Sequence, residues 1–235
     1  MGQIVLVRHG QAAFGTDDYD RLTDLGKQQS QLLGEWFAQR GRKIDCAVTG
    51  NMRRHRQTAE SCLLAMPQAL RPKGDWTADA GFDEYDADEV VVRHRPEFGD
   101  PGVLHKHLEA CEHPRREFQA IFTAAMERWM GGRFDSDYRE SWSAFSARCV
   151  ASLTKLTNEA GPSRTTVVFT SGGPIAAICQ HVLGLTCQRA FAVNTALVNS
   201  ATTALLYQPR LISLSYLNNF SHLERTGNPQ VITYR

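Results

Sequence analysis

Residues 3–10, Gln3-Ile4-Val5-Leu6-Val7-Arg8-His9-Gly10, decide how the rest of the chain is understood. The run from Gln3 to Val7 is short, β-branched and nearly unbroken in its apolar character, as expected of a strand buried on both faces of a parallel sheet. It stops abruptly at two side chains that can do chemistry and a glycine. In open α/β sheets ligands bind beyond the carboxyl ends of the strands, so Arg8 and His9 stand where a site belongs. A neutral imidazole held there can attack phosphorus directly. The neighbouring guanidinium can fork onto two phosphoryl oxygens, and Gly10 lets the backbone approach the same group closely.

Working outward, residues 10–21 form a polar loop rich in turn formers. Thr23 is a plausible N-cap for an amphipathic helix carrying Leu25, Leu32, Leu33, Trp36 and Phe37, and Gly41 ends it. A second strand over 44–49 runs into a helix from near Met52 to Met66, which Pro67 and Pro72 close. An extended stretch over 78–82 leads into Asp83-Glu84-Tyr85. From Asp86 to Trp142 the alternation of strand and helix stops, and helices and loops are expected. A helix over 142–156 is stopped by Gly161-Pro162. A strand over 165–170 then enters Ser171-Gly172-Gly173-Pro174, a helix covers 175–183, and strand candidates occupy 203–207 and 211–217. This order predicts an α/β fold, a three-layer α/β/α sandwich with a mostly parallel sheet. Residues 1–235 are expected to form a single domain, with a helical insertion at about 86–142 over the active site.

Composition narrows the function classes. A net charge of +1 gives no reason to expect nucleic acid or an anionic membrane as partner. The N-terminus lacks a signal-peptide pattern, and no apolar run is long enough to span a bilayer. The six cysteines, Cys46, Cys62, Cys111, Cys149, Cys179 and Cys187, form no CxxC pair and suit a reducing compartment, so a cytoplasmic location is expected. Phe220 or Val231-Ile232 could form an interface between copies, but the sequence leaves the oligomeric state open.

Four ordered motifs extend the first reading. Leu6-Val7-Arg8-His9-Gly10-Gln11, Leu22-Thr23-Asp24-Leu25-Gly26, Met52-Arg53-Arg54-His55-Arg56-Gln57-Thr58-Ala59 and Thr170-Ser171-Gly172-Gly173-Pro174-Ile175 are similar to motifs of the histidine phosphatase (phosphoglycerate mutase-like) superfamily. The resemblance implies a metal-independent phosphoryl-transfer enzyme without cofactor, most simply a phosphatase for a small phosphorylated molecule or a phosphoprotein. It implies His9 as nucleophile, Arg8 and Arg54 as phosphate clamp, and Ser171 and Gly172 as further phosphate contacts. Glu84 is implied as the general acid and base, with Asp83 and Asp86 as rivals. Gln11, Thr23 and the 12–15 loop are possible substrate contacts, while Arg53 and Arg56 are solvated helix charges. His181 and His222 are expected to be structural.

One position departs from the family pattern. Ser171 stands where the family has a second histidine, and losing one strong transition-state donor typically costs about 3 kcal/mol. A non-catalytic phospholigand-binding protein is therefore one alternative; a phosphoglycerate mutase-type activity is another, although Ser171 would impair retention of a phosphoenzyme. Candidate replacements for the missing imidazole are His94, His105, His107 and His113, whereas His55 is expected to lie on the wrong side of its helix. His105, Glu109 and His113 share an i, i+4, i+8 spacing that could also suggest a metal, although this chemistry needs none. Arg93, Arg95, Arg115 and Arg116, mixed with Phe98, Phe118, Phe122 and Trp129, suit an anionic substrate with an apolar part or a packed helical lid.

Overall fold

The computed structural model describes residues 1–13, 20–209 and 211–234, so Phe14 and Gly15 of the predicted contact loop lie outside the described residues. The chain divides into two compact units, Met1–Glu84 with Arg148–Arg235, and Tyr85–Ala147.

The first unit opens with β1 (Gly2–Arg8), α1 (Asp24–Gln39), β2 (Cys46–Thr49), α2 (Arg53–Leu64) and β3 (Thr77–Ala78). The second holds α3 (Ala87–His94), α4 (Pro101–Glu109), α5 (Pro114–Met130) and the first turns of α6 (Trp142–Glu159), whose remainder belongs to the first unit. There follow β4 (Thr165–Thr170), α7 (Gly172–Leu183), α8 (Cys187–Ala196), β5 (Thr202–Gln208), β6 (Leu211–Asn219) and α9 (Ser221–Glu224).

The six strands make one sheet in the order β3-β2-β4-β1-β5-β6. The first four are mutually parallel, and β5 pairs antiparallel with both β1 and β6. Val5 and Val7 of β1, with Val167 and Phe169 of β4, pack on Leu33 and Phe37 of α1 and on Ala59, Cys62 and Leu63 of α2. Ile4, Leu6 and Val168 point to the opposite face and are equally buried, which is why these strands carry no polar alternation. Helices cover both faces, giving the three layers expected. Each large apolar side chain removed from water contributes roughly 1.5–3 kcal/mol, so this double-faced core is what fixes the strand ends.

Local signals act as anticipated around the site. Thr23 caps α1, its hydroxyl oxygen accepting from the Gly26 amide at 3.0 Å. The start of α1 lies hard against the end of β1: a Cβ on Gly10 would lie 2.2 Å from the Gly26 carbonyl oxygen. Only glycine permits that approach.

Within the second unit, Trp129 is buried at the centre of an aromatic cluster, with ring centroids 4.8 Å from Tyr85, 5.2 Å from Trp142 and 5.6 Å from Phe145. Phe98 and Phe122 are buried as well, so these aromatics form packed interior. Phe220 and Ile232 pack with Leu25 and Leu32 against a cluster of Val198, Ala201, Leu223 and Val231. These C-terminal apolar residues therefore contribute to the chain's own core. Among the described residues, no helix is long and apolar enough to cross a membrane.

Candidate active site

The site assembles at the carboxyl ends of β1, β2 and β4. Register brings Arg8 opposite Thr170, and the His9 amide donates to the Thr170 carbonyl at 2.8 Å. His9 is 4% exposed. Its Nδ1 lies 2.7 Å from the Gly10 carbonyl oxygen, which can only accept, so Nδ1 carries the proton and Nε2 keeps a bare lone pair. Burial, reinforced by Arg54, Arg8 and His55, holds its pKa well below the usual histidine range, against a smaller opposing effect of the Gly10 hydrogen bond. The imidazole is therefore neutral at physiological pH.

The backbone around His9 is pinned from several sides. The His9 carbonyl accepts from Asn199 Nδ2 and from the Ser200 amide, both at 3.2 Å. Ser200 in turn lies 2.8 Å through its Oγ from Nε2 of buried His222. The Gly10 amide donates to Thr58 Oγ1 at 3.1 Å, and Gln29 Oε1 accepts from the Gln11 amide at 2.8 Å.

Arg8 donates through Nη1 to the Leu197 carbonyl. Arg54, 4% exposed, lies in the first turn of α2 and pairs with Asp20 at 2.9 Å. Met52 offers no side-chain cap to that helix, so Asp20 supplies one, accepting from the Arg53 amide at 2.8 Å. Arg56 is exposed and reaches back to the Asn51 carbonyl.

Glu84 follows a 3-10 turn at Ala80–Phe82. Arg148 Nη1 fixes this turn by donating to the carbonyls of Ala80, Gly81 and Asp83 at 3.0, 3.2 and 2.9 Å. The half-buried Glu84 carboxylate accepts from the Gly173 amide at 3.2 Å, at the N-terminus of α7. Its rival Asp83 is engaged with the backbone and side chain of Asn51, and Asp86 caps α3. Gly172 sits beside Arg8, since a Cβ there would lie 3.8 Å from Arg8 Nε and 2.3 Å from Asn194 Oδ1. Gln11 and Thr23 are turned onto each other, with Thr23 Oγ1 donating to Gln11 Oε1 at 2.8 Å.

His55 is placed quite differently from expectation. It is fully buried, its ring centroid is 5.9 Å from that of His9, and its Nε2 lies 2.6 Å from Ser171 Oγ. The expectation that it sits on the wrong side of its helix is overturned. His55 heads the i, i+3, i+4, i+7 stripe completed by Thr58, Ala59 and Cys62, all buried on the sheet side of α2. That periodicity was the signal available in the sequence. Asp20 carried none that set it apart from Asp17 and Asp18 nearby.

A family model described as the histidine phosphatase superfamily (branch 1) matches residues 4–98 and 103–219. The chain belongs to that superfamily. Among solved structures, the chain is similar to a phosphoserine phosphatase from Entamoeba histolytica, at 16% identity and a TM-score of 0.65, covering 95% of this chain and all of that one. A phosphoglycerate mutase from Bacillus anthracis shows 16% identity and a TM-score of 0.66, with 97% of each chain covered. A mycobacterial glucosyl-3-phosphoglycerate phosphatase shows 19% identity and a TM-score of 0.59, covering 93% of this chain and 99% of that one. These likenesses are of fold. Comparison with curated proteins gives no match.

The spacing offered as a metal site does not survive in three dimensions. His105 and Glu109 pair at 3.1 Å on α4, but that helix ends at Glu109 and His113 lies beyond it at the cap of α5. Ligand-type atoms of His107, Cys111 and Glu117 do gather within 4.8 Å of one another, with His107 Nε2 already 3.1 Å from Glu117 Oε1. A separate depression of about 530 Å³, lined by Gln3, Arg40, Arg42, Lys43, Asp45, Ser163 and Thr165, lies at the opposite, amino ends of the strands. It takes no part in this constellation.

Proposed function

We propose that the protein is a metal-independent phosphatase that hydrolyses a phosphate monoester through a phosphohistidine on His9. The carrying observation is the state of His9: buried, neutral, with Nδ1 bonded to the Gly10 carbonyl, Nε2 unprotonated, and the charges of Arg54 and Arg8 acting on the ring. A nucleophile needs that lone pair, and the two guanidiniums supply the charge that phosphoryl transfer requires.

In the first transfer the Nε2 lone pair attacks phosphorus while the P–O ester bond breaks, and the departing oxygen takes the Glu84 proton. In the second, Glu84 as carboxylate removes a proton from water as the water oxygen attacks phosphorus. The P–N bond breaks, its electron pair returns to Nε2, and inorganic phosphate leaves. One carboxyl thus serves as acid and then as base. Its place at the α7 N-terminus, on an amide adjoining Ser171 and Gly172, sets it beside the phosphate contacts.

The substrate in this reading is a small phosphorylated molecule, in keeping with the phosphoserine and glucosyl-3-phosphoglycerate named for similar structures. We place the protein in the cytoplasm, which suits six free cysteines, three of them buried. The test is p-nitrophenyl phosphate hydrolysis in EDTA by the wild type and His9→Ala. Turnover lost in the variant supports the reading, while equal residual activity in both sinks it. A non-catalytic phospholigand-binding role is favoured by Ser171 alone, and turnover that depends on His9 eliminates it.

A further inference from the structure

Ser171 caps α7 with an extended backbone (φ −115, ψ 177), yet its side chain makes no capping hydrogen bond. A serine at that position ordinarily accepts from an amide one turn on, an interaction worth about 1 kcal/mol. Here the hydroxyl is turned away from the helix and towards His55, at 2.6 Å. The contact joins residues 116 positions apart, and both are fully buried.

Burying an imidazole is costly unless its nitrogens are satisfied, and His55 Nδ1 has no hydrogen-bond partner among the described residues. Burial, with Arg54 beside it, holds the ring neutral, so only one nitrogen carries a proton. A proton on Nδ1 would leave a buried donor orphaned. A proton on Nε2 leaves only an unused lone pair, the cheaper arrangement. Nε2–H therefore donates to Ser171 Oγ. A hydroxyl has one proton and two lone pairs, so with one lone pair engaged by His55 the proton of Ser171 is left to donate elsewhere.

The surroundings say where it goes. Gly172, next in sequence, lies against Arg8, and the Gly173 amide holds Glu84. The His55 ring is 5.9 Å from that of His9 and tilted by 33°. The hydroxyl thus sits among the clamp, the acid and the nucleophile. Gly50 makes room for this arrangement, since a Cβ there would lie 2.3 Å from His55 Nδ1.

We propose that His55 is a positioning residue that fixes the Ser171 hydroxyl through Nε2–H, so that Ser171 donates its proton to the phosphoryl group transferring at His9. The proposal rests on the phosphatase reading above and deepens it: α2 supplies the imidazole that the end of β4 lacks. The pair provides a neutral, preorganised donor whose geometry is set before substrate arrives.

The test is a double-mutant cycle on p-nitrophenyl phosphate hydrolysis in EDTA, run beside orthovanadate binding by calorimetry. His55→Phe keeps a ring and loses the N–H, and Ser171→Ala loses the hydroxyl. Each is expected to lower kcat about 100-fold with KM within about threefold, and the double variant to fall no further than either single one. His55→Gln restores an N–H donor and should recover about tenfold over His55→Phe. Melting temperatures establish that each variant is folded. A merely structural His55 would lower the melting temperature and leave kcat per phosphorylatable His9 unchanged. The proposal is overturned by a folded His55→Phe with wild-type kcat, or by single losses that multiply in the double variant. Wild-type protein that neither turns over nor binds vanadate sinks the phosphatase reading and the pair with it. Wild-type protein that binds vanadate without turnover still tests the pair: both single variants should weaken binding, and unchanged affinity in both overturns it.

Discussion

Lowering the pH from 7 to 5 on the wild type and on His222→Gln exposes how this fold holds its histidines. His222 is fully buried, lies 2.8 Å through Nε2 from Ser200 Oγ, and has its pKa pushed down to about 3 by burial and then by Arg225. In the unfolded chain the same imidazole titrates near 6.5, so the unfolded state binds the extra proton and stability rises with pH. The contribution is whole above about pH 6.5, is lost as pH falls, and stops changing near the folded-state value of about 3. By pH 5 the loss from His222 alone is about 2 kcal/mol, and the full loss is about 5 kcal/mol, against a typical domain stability of about 5–15 kcal/mol. His9 and His55, both held well below the ordinary histidine range by burial, act in the same direction. Glutamine at 222 can still meet the Ser200 hydroxyl but cannot titrate. The variant should lose about 1 kcal/mol at pH 7 through an imperfect hydrogen bond, and the gap should close or invert by pH 5. Urea unfolding followed by circular dichroism at pH 7, 6 and 5, at constant ionic strength, measures this. Parallel stability curves for the two proteins would refute the reasoning.

Three further outcomes follow from the site's geometry. Glu84→Gln should slow hydrolysis of an alkyl phosphate about 100-fold or more, and should accumulate phosphoenzyme with p-nitrophenyl phosphate, whose leaving group needs little acid help; quenched-flow detection of a nitrophenol burst checks it. Arg148→Gln removes the guanidinium that holds three carbonyls of the turn before Glu84, and should reduce kcat about tenfold while lowering stability by about 1–3 kcal/mol, read from kinetics and urea unfolding. Gly50→Ala puts a methyl group 2.3 Å from His55 Nδ1 and 2.7 Å from Asp83 Oδ1, so kcat should fall about tenfold or more while His9 stays phosphorylatable; unchanged kcat would mean the ring moves freely.

Much of this architecture could be read from local pattern. β4 runs over Thr165–Thr170, and Thr23 caps α1, because each rests on signals within a few residues: an apolar run bounded by turn formers, and a hydroxyl before a helical stripe. His9, Arg8 and Ser171 could be singled out because a parallel sheet presents its ligand-binding residues at strand ends. The parts that stayed hidden depend on long-range contacts or on rotational phase. His55 next to Arg54 suggests the wrong side of α2, although its stripe with Thr58, Ala59 and Cys62 points inward. Its partner lies 116 residues away, a pairing no local pattern encodes. Arg148 looks like an ordinary helix charge until its three carbonyl partners are seen. α8 leaves little amphipathic signal in the sequence, because only Ala190 of its ten residues is buried. The four histidines of the insertion are candidates for a missing imidazole on composition alone, whereas the imidazole that meets Ser171 directly follows Arg54 in the sequence.

The most direct test of the account is the chemical identity of the phosphoenzyme. Wild type, His9→Ala and Ser171→Ala would be mixed with p-nitrophenyl phosphate, quenched in alkali within milliseconds, and mapped by mass spectrometry with and without acid treatment. The account predicts phosphate on His9 that survives alkali and is lost in acid, absent from His9→Ala and present at reduced rate in Ser171→Ala. Acid-stable phosphate on Ser171, or turnover that persists in His9→Ala with no phosphohistidine, would contradict it.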